Sequence, residues 1–253
     1  MASNVKFHRA VIDVTRTLLL WVYFLGGFVV FFSPFCLWAY FFASRREAAF
    51  QKIISIFCAS FFVLVRVLIP RLSIRIVEDV ASLKGCVVVC NHRSYLDPIL
   101  LISIFRRQKT IVKQGLFRLP IFGWILKQIG YLPSYAGDQF AELMLDQLAQ
   151  MQDFFSRGGV VFIFPEGTRS RNGRIGRLKK GAFKVAEQFQ VPIRILRVRH
   201  TERVFRPGQF AFDTCTPNTI DISYIGDVEA DDIASVDARM AKVRSTWVQH
   251  LES

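Results

Sequence analysis

A long stretch without any charged residue, from Thr17 to Ser44, constrains the fold of this chain more than any other feature. Wound as a helix with a rise of about 1.5 Å per residue, it is long enough to cross the roughly 30 Å hydrocarbon core of a bilayer. It is too long for the apolar core of a signal peptide, and it contains no evident small-residue cleavage site. Gly26, Gly27 and Pro34 interrupt the stretch, so we expect a kinked or broken helix.

A second apolar run extends from Ile53 to Ile69, after a basic pair at Arg45 and Arg46. The two runs together predict a membrane-embedded helical hairpin over residues 1–70. The hairpin either spans the bilayer and returns, or dips into one leaflet from the cytosolic side. Because basic residues favour the cytoplasm and a spanning hairpin would carry its basic pair across, we favour the one-leaflet arrangement. The rest of the chain would then lie on the cytoplasmic face. Core helices of a soluble fold are the less favoured alternative.

The charge and composition of the chain narrow its partners. A formal net charge of +13 gives a basic surface, which attracts the phosphates of nucleic acids or of anionic lipids. No zinc-finger, homeodomain or aromatic RNA-binding motif is visible, so we expect membrane phospholipids and no nucleic acid as partners. The five cysteines form no CxxC pair and the four histidines are scattered, which argues against a metal site.

From about Pro70 onwards the sequence alternates between strand and helix patterns. This alternation predicts an α/β domain over residues 71–253, with a mixed, largely parallel sheet flanked by helices. The expected strands are Leu72–Val77, Cys86–Cys90, Thr110–Lys113, Val160–Phe164, Val191–Val198 and Thr219–Ile225. One expected helix begins at Asp97–Pro98, with Asp97 as its N-cap. The other expected helices cover Asp138–Arg157, Leu178–Phe189 and Ser235–Leu251.

The first polar cluster, Asn91–Asp97, directly follows a strand of the buried type. In open α/β sheets, ligands bind at the carboxyl ends of the strands. Across a turn into a helix, His92 and Asp97 can fold back on each other, so that Asp97 orients the imidazole and the other ring nitrogen acts as a general base. Ser94 is an alternative nucleophile, but it is only two residues from His92.

The second polar cluster, Pro165–Arg171, follows another buried strand. Gly167 allows the backbone to approach a ligand closely. Arg169 can bind phosphate oxygens through two hydrogen bonds, and Thr168 adds a hydroxyl donor. More basic residues follow at Arg171, Arg174, Arg177, Lys179 and Lys180. The cluster therefore predicts an anion site, although a basic run alone is more often a solvated loop.

The two clusters together resemble the glycerolipid acyltransferase family, which includes the bacterial 1-acylglycerol-3-phosphate acyltransferases. The motifs that carry the resemblance are Asn-His-x4-Asp and Phe-Pro-Glu-Gly-Thr-Arg-Ser, and it covers roughly Leu72–Val198. It implies acyl transfer from acyl-CoA or acyl carrier protein to a lysolipid hydroxyl, with 1-acylglycerol-3-phosphate as the leading acceptor. His92 would be the base and Asp97 its orienter, without a covalent intermediate, a metal or a bound cofactor.

The resemblance also implies a binding site for the acceptor. Arg169 would bind the acceptor phosphate, and Glu166, Gly167 and Thr168 would shape that pocket. In the family's second motif a Lys precedes a run to Pro and Gly, and Lys113 occupies that position here, which makes it a second phosphate ligand. A non-catalytic protein that binds anionic lipid is the alternative from another class, but such a protein needs no base.

Two departures from the family pattern bear on the acceptor. Ser134 stands where the second motif has Arg, and the fourth motif gains Arg194 and Arg197. A lost charge-assisted contact to a phosphate costs roughly 1.5–3 kcal/mol. Either one of these arginines compensates, or the acceptor is another lysolipid, such as a lyso-aminolipid. The donor and the chain-length preference are left open by the sequence.

Overall fold

A computed structural model describes residues 2–134, 140–170, 175–231 and 235–251, and its centre is a seven-stranded sheet. The strand order is β1-β7-β6-β2-β5-β3-β4, and only the β6–β7 pair is antiparallel. The strands are β1 (Leu72–Ile76), β2 (Cys86–Cys90), β3 (Gln108–Val112), β4 (Leu132–Pro133), β5 (Val160–Ile163), β6 (Ile193–Arg199) and β7 (Asn218–Val228). The predicted mixed, largely parallel α/β fold is confirmed.

The strands at the centre of the sheet are buried on both faces. Every residue of β2 and of β5 is buried, as expected for continuous apolar runs that are covered by helices on either side. The helices of the α/β part are α4 (Glu78–Ser82), α5 (Leu96–Ile104), α6 (Gln114–Phe117), α7 (Pro120–Ile129), α8 (Ala141–Ala149), α9 (Met151–Ser156), α10 (Gly181–Gln188), α11 (Thr201–Val204) and α12 (Val236–Leu251).

The N-terminal part of the chain forms a helical hairpin. Its first arm comprises α1 (Ala2–Val22), a π-helical stretch (Tyr23–Phe32) and α2 (Ser33–Phe42), and its second arm is α3 (Arg46–Leu68). The interruption expected at Gly26 and Gly27 therefore takes the form of a change in helical winding. By length and composition, two helical segments, Lys6–Phe42 and Arg46–Leu68, are apolar enough to cross a membrane.

The two arms of the hairpin differ in how they meet the sheet domain. The second arm packs against α5 and α7 and buries a face that includes Phe50, Phe57 and Phe61. The first arm instead exposes large apolar side chains along much of its length, among them Phe31 and Phe42. The hairpin thus covers the sheet domain with one arm and presents an apolar surface with the other.

Several predicted boundaries need correction. Helix α5 begins at Leu96, after Tyr95, so Asp97 lies inside the first turn and is not the N-cap. The helix expected up to Arg157 is divided into α8 and α9 around Gln150, and Asp138, its expected N-cap, lies outside the described residues. The helix expected from Leu178 begins at Gly181. The sequence patterns did not predict α7, the short helices α4, α6 and α11, or the two-residue strand β4.

Candidate active site

The polar clusters meet at the carboxyl edge of the parallel strands. His92 follows β2, Arg169 lies in the segment after β5, and Lys113 follows β3, which is the next strand along the sheet. These three side chains, with Gly167 and Thr168, line one open cleft of about 1350 Å³. Every predicted site residue except Asp97 and Glu166 lines this cleft, and those two are buried and hydrogen-bonded to His92.

The side chain of Asn91 fixes where the chain leaves β2. Its amide nitrogen donates to the carbonyl oxygen of Val198 at 2.9 Å, and its carbonyl oxygen accepts from the Val198 N–H at 2.8 Å. These two hydrogen bonds take the place of backbone pairing, so the Asn91 side chain extends the contact between β2 and β6 beyond the end of β2. The backbone that carries His92 is consequently held against the sheet rather than in a free loop.

The carboxylate of Asp97 is buried and fully engaged. Its Oδ2 accepts from the imidazole Nδ1 of His92 at 2.9 Å and from the backbone N–H groups of Arg93 and Ser94 at 2.6 and 2.7 Å. Its Oδ1 accepts from the hydroxyl of Thr201 at 2.6 Å. Nothing in the sequence pointed to Thr201, because it lies more than a hundred residues further along the chain. These donors fix both carboxylate oxygens in place.

The imidazole of His92 is held on two sides. Asp97 engages Nδ1, and the ring stacks on Phe164 with 4.3 Å between ring centroids. The side chain of His92 is 17% exposed, and it lines the cleft. Since Nδ1 is occupied, Nε2 is the ring nitrogen available to a ligand. This arrangement can accept a proton from a hydroxyl in the cleft, while Asp97 stabilises the resulting cation.

Two nearby groups are placed unfavourably for a nucleophilic role. The hydroxyl of Ser94 is buried and donates to the carbonyl oxygen of Phe205 at 2.8 Å. Burial, together with the carboxylates of Asp97 and Glu166, raises the pKa of the Cys90 thiol well above its usual range. A buried protonated thiol is a poor nucleophile. The geometry therefore favours direct attack by a substrate hydroxyl.

The buried side chain of Glu166 connects the segment after β5 to the backbone of His92. Its two carboxylate oxygens accept from the N–H of His92 at 3.2 Å and from the N–H of Gly176 at 2.9 Å. The N–H of Ser170 donates to the carbonyl oxygen of His92 at 2.8 Å. The loop after β5 is thus bonded directly to the backbone of His92. Gly167 has a φ of +67°, a conformation that residues with a Cβ rarely adopt.

Arg169 and Lys113 are the predicted phosphate ligands, and both line the cleft. The guanidinium of Arg169 lies over the ring of Tyr95, 3.4 Å from its centroid. Its buried Nη1 has no hydrogen-bond partner among the described residues. A guanidinium that is held flat on an aromatic ring with an unused buried donor is prepared for an anionic ligand. The residues expected to extend this cluster, Arg171 and Arg174, lie outside the described part of the chain.

The arginines expected to replace the charge missing at Ser134 are engaged elsewhere. Ser134 lies at the end of β4, and its N–H donates to the carbonyl oxygen of Val112 at 2.7 Å. Arg194 forms ion pairs with Asp227 and Glu229. Arg197 donates to Ser223 and to the carbonyl oxygen of His250. Neither arginine lines the cleft.

A second cavity of about 440 Å³ adjoins the cleft and is almost wholly apolar. Its walls come from both arms of the hairpin, from α5 and from the segment after α11, and include Trp21, Phe24, Phe61, Ile99 and Phe210. Tyr95 lines both cavities, so the apolar groove begins where the polar cleft ends. Among the described residues no group of three or more His, Cys, Asp or Glu side chains is placed to hold a metal ion, and the lack of a metal stays a prediction.

The sequence of this chain is similar to those of known proteins. Residues 71–196 match the model of the acyltransferase family. The chain is 37% identical over 123 residues to the chloroplastic 1-acyl-sn-glycerol-3-phosphate acyltransferase BAT2 of Brassica napus. The matched segment makes up 49% of this chain and 35% of the relative. The chain is 30% identical over 138 residues to a 1-acyl-sn-glycerol-3-phosphate acyltransferase of Pseudomonas aeruginosa, covering 54% of this chain and 52% of the relative.

A solved structure extends the likeness to the whole fold. The 1-acyl-sn-glycerophosphate (LPA) acyltransferase PlsC from Thermotoga maritima matches 95% of this chain and 96% of its own, with a TM-score of 0.70 and 21% identity. At this identity the likeness establishes the shared fold alone. The sequence matches span only about a third to a half of the length of the curated relatives.

Proposed function

The chain carries a domain of the acyltransferase family over residues 71–196, and from that premise we propose that it transfers a fatty acyl group to the free hydroxyl of a lysophospholipid. The proposed acceptor is 1-acylglycerol-3-phosphate, the molecule in the names of the relatives. The proposed donor is a thioester, acyl-CoA or acyl carrier protein, and no bound cofactor takes part. The observation that carries this proposal is the His92–Asp97 pair, which opens onto the same cleft as Arg169 and Lys113.

In the proposed reaction, Nε2 of His92 removes the proton from the acceptor hydroxyl as its oxygen attacks the thioester carbonyl. The carbon–oxygen bond forms, the carbon–sulfur bond breaks, and the imidazolium returns its proton to the departing thiolate. Asp97 keeps Nδ1 protonated and stabilises the imidazolium. Because Asp97 itself is held by backbone donors and by Thr201, it cannot turn away during the cycle.

The phosphate of the acceptor is assigned to Arg169 and Lys113. In 1-acylglycerol-3-phosphate the carbon that carries the phosphate is the neighbour of the carbon that bears the free hydroxyl. The cation that binds the phosphate must therefore lie near the base. Arg169 is half-buried with an unused donor, and Gly167 and Thr168 form the adjoining wall. Glu166 serves this site indirectly by holding the loop to the backbone of His92.

The apolar groove is assigned to a fatty acyl chain. Each methylene group that leaves water contributes roughly 0.8 kcal/mol, so an apolar groove beside the base provides much of the binding energy of a lipid substrate. Trp21 and Phe24 of the first arm and Phe61 of the second line this groove. The hairpin is therefore part of the proposed substrate site as well as a membrane anchor.

We further propose that the hairpin lies in one leaflet, with the catalytic domain on the cytoplasmic face. The second arm packs along α5 and α7 of the sheet domain, so one of its faces is covered by protein where a spanning helix would meet lipid. The exposed apolar side chains belong mainly to the first arm. Cysteine labelling from either side of sealed vesicles tests this: a residue near Arg45 that is labelled only from the far side would refute it.

The activity is tested by incubating purified protein with labelled acyl-CoA and a panel of lysolipids. We expect a phospholipid product with 1-acylglycerol-3-phosphate, and no turnover by His92→Ala, which should still bind vesicles. No turnover with any donor or acceptor would refute the enzyme. Product with another lysolipid alone, such as a lyso-aminolipid, would support the second candidate acceptor, which is motivated by Ser134 standing where the family's second motif has Arg.

A further inference from the structure

The cleft has a second group of cations on the other side of the proposed base. Arg203 and Arg206 line the same cleft, and they lie in the segment that follows β6. In the sheet, β6 and β5 are the two neighbours of β2, which ends at His92. Neighbouring strands are about 4.8 Å apart. His92 therefore stands between the Arg169 side of the cleft and the Arg203–Arg206 side.

No side chain in the described part of the chain neutralises the charges of this second group. Among the described residues, neither Arg203 nor Arg206 has an ion pair or a side-chain hydrogen bond. Their neighbour Arg93 differs, because it pairs with Glu202 at 3.7 Å. Two adjacent unpaired guanidinium groups in one cleft attract a polyanion and repel each other without one.

The backbone that carries these arginines is fixed at both ends. Thr201 is bonded to Asp97, and the carbonyl oxygen of Phe205 accepts from Ser94. Further along, the N–H of Phe212 donates to the hydroxyl of Thr17 at 2.9 Å. The segment therefore has a set position relative to both the base and the hairpin, and a ligand bound to it would be registered against His92.

The depth of the two cationic groups indicates which substrate each one takes. Arg169 is half-buried, whereas Arg203 and Arg206 are exposed at the rim of the cleft. An acceptor phosphate is attached beside the reacting hydroxyl and needs a deep site. In a coenzyme A thioester the phosphates are separated from the thioester by the whole pantetheine arm, so they need a site at the rim.

We propose that Arg203 and Arg206 form a donor site that binds the phosphates of a coenzyme A thioester. The inference rests on the proposed acyltransferase function and deepens it by assigning the donor. The acyl chain enters the apolar groove, whose wall the same segment provides through Phe205 and Phe210, and the thioester carbonyl then lies at His92. The nucleotide end of the donor extends over the arginines.

The test is the double variant Arg203→Gln/Arg206→Gln, with Arg75→Gln as the matched control. Arg75 is also exposed, but it lies on the edge strand β1 and does not line the cleft. Each charge-assisted contact at an exposed site is expected to change affinity by about tenfold, so kcat/KM for acyl-CoA should fall by roughly tenfold to a hundredfold. The KM for the lysolipid should not change, and a phosphate-free acyl-pantetheine donor should be used equally by all three proteins.

Binding of coenzyme A itself, measured by calorimetry, separates this proposal from the proposed function because it requires no turnover. Weaker binding by the double variant, with the control unchanged, supports the donor site even if no acceptor reacts. Unchanged binding and unchanged KM for acyl-CoA would overturn it. An equal loss with acyl-pantetheine, a rise in lysolipid KM alone, or a loss confined to acyl carrier protein as donor would overturn it as well.

Discussion

Replacing Asp97 by Asn removes the charge of the orienting carboxylate and nothing else. The backbone N–H groups of Arg93 and Ser94 both point at the position of Oδ2. An Asn side chain must place its carbonyl oxygen there, because its NH2 group would face two donors. The oxygen then still accepts from Nδ1 of His92, so the imidazole keeps its tautomer. The hydroxyl of Thr201 can rotate to accept from the NH2 group.

The size of the effect follows from the separation of the two charges. Nδ1 and Oδ2 are 2.9 Å apart. Two unit charges at about 3 Å with an effective dielectric constant near 20 attract each other by roughly 5–6 kcal/mol. The partial exposure of the ring reduces this value, so we expect the imidazolium to lose about 3–5 kcal/mol of stabilisation, equivalent to a fall in kcat of roughly 10²- to 10⁴-fold.

The assay compares Asp97→Asn with Asp97→Ala. Both should lose activity, but only the Ala variant leaves all four donors to the Asp97 carboxylate without their acceptor, and each buried unpaired donor costs about 1–3 kcal/mol. Its melting temperature should therefore fall well below that of the Asn variant, which should stay close to wild type. If Asp97→Asn kept the wild-type kcat, the charge of Asp97 would have no catalytic part. If both variants unfolded alike, the argument about the backbone donors would be wrong.

Three further predictions concern residues that support the site. Thr201→Val should lower the free energy of unfolding by about 1–3 kcal/mol and Thr201→Ser should not, since only Val removes the donor to Asp97; equal melting curves would contradict this. Burial lowers the pKa of Lys109 below 10.5, with its contact to Glu47 opposing the shift, so the folded state binds fewer protons than the unfolded chain just below that pH. The free energy of unfolding should then rise more steeply for wild type than for Lys109→Met as the pH approaches 10.5 from below, and parallel profiles would refute the assignment. Gly167→Ala should cost about 1–3 kcal/mol of stability and reduce lysolipid affinity, because φ is +67° there; an unaffected variant would show that the loop relaxes freely.

Much of the fold follows from local patterns in the sequence. Continuous apolar runs identified β2 at its observed bounds and β5 to within one residue, because a strand buried on both faces has no polar positions. The spacing of His92 and Asp97 alone is a weak signal, and their contact was predicted because the pair also follows a buried strand and leads into a helix.

The parts that the sequence did not predict depend on contacts between distant segments. The bond from Thr201 to Asp97 joins residues that are 104 positions apart, and no local pattern marks it. No sequence pattern singled out Lys109, yet it is fully buried and contacts Glu47 and Gln147. Asp97 was expected as an N-cap, but its side chain turns back to the loop before the helix, because His92 and two backbone donors compete for it.

The hairpin and β1 precede β7 in the chain, and this order bears on where the chain folds. The hairpin is synthesised first, and its Phe61 and Val65 belong to the same apolar core as Val88 of β2. The first strand, β1, has its partner only in β7, so Leu72 must wait for Asn218. With the membrane location proposed above, the hairpin would reach the bilayer before β7 is made. The sheet would then close at the membrane surface, against a hairpin that is already in place.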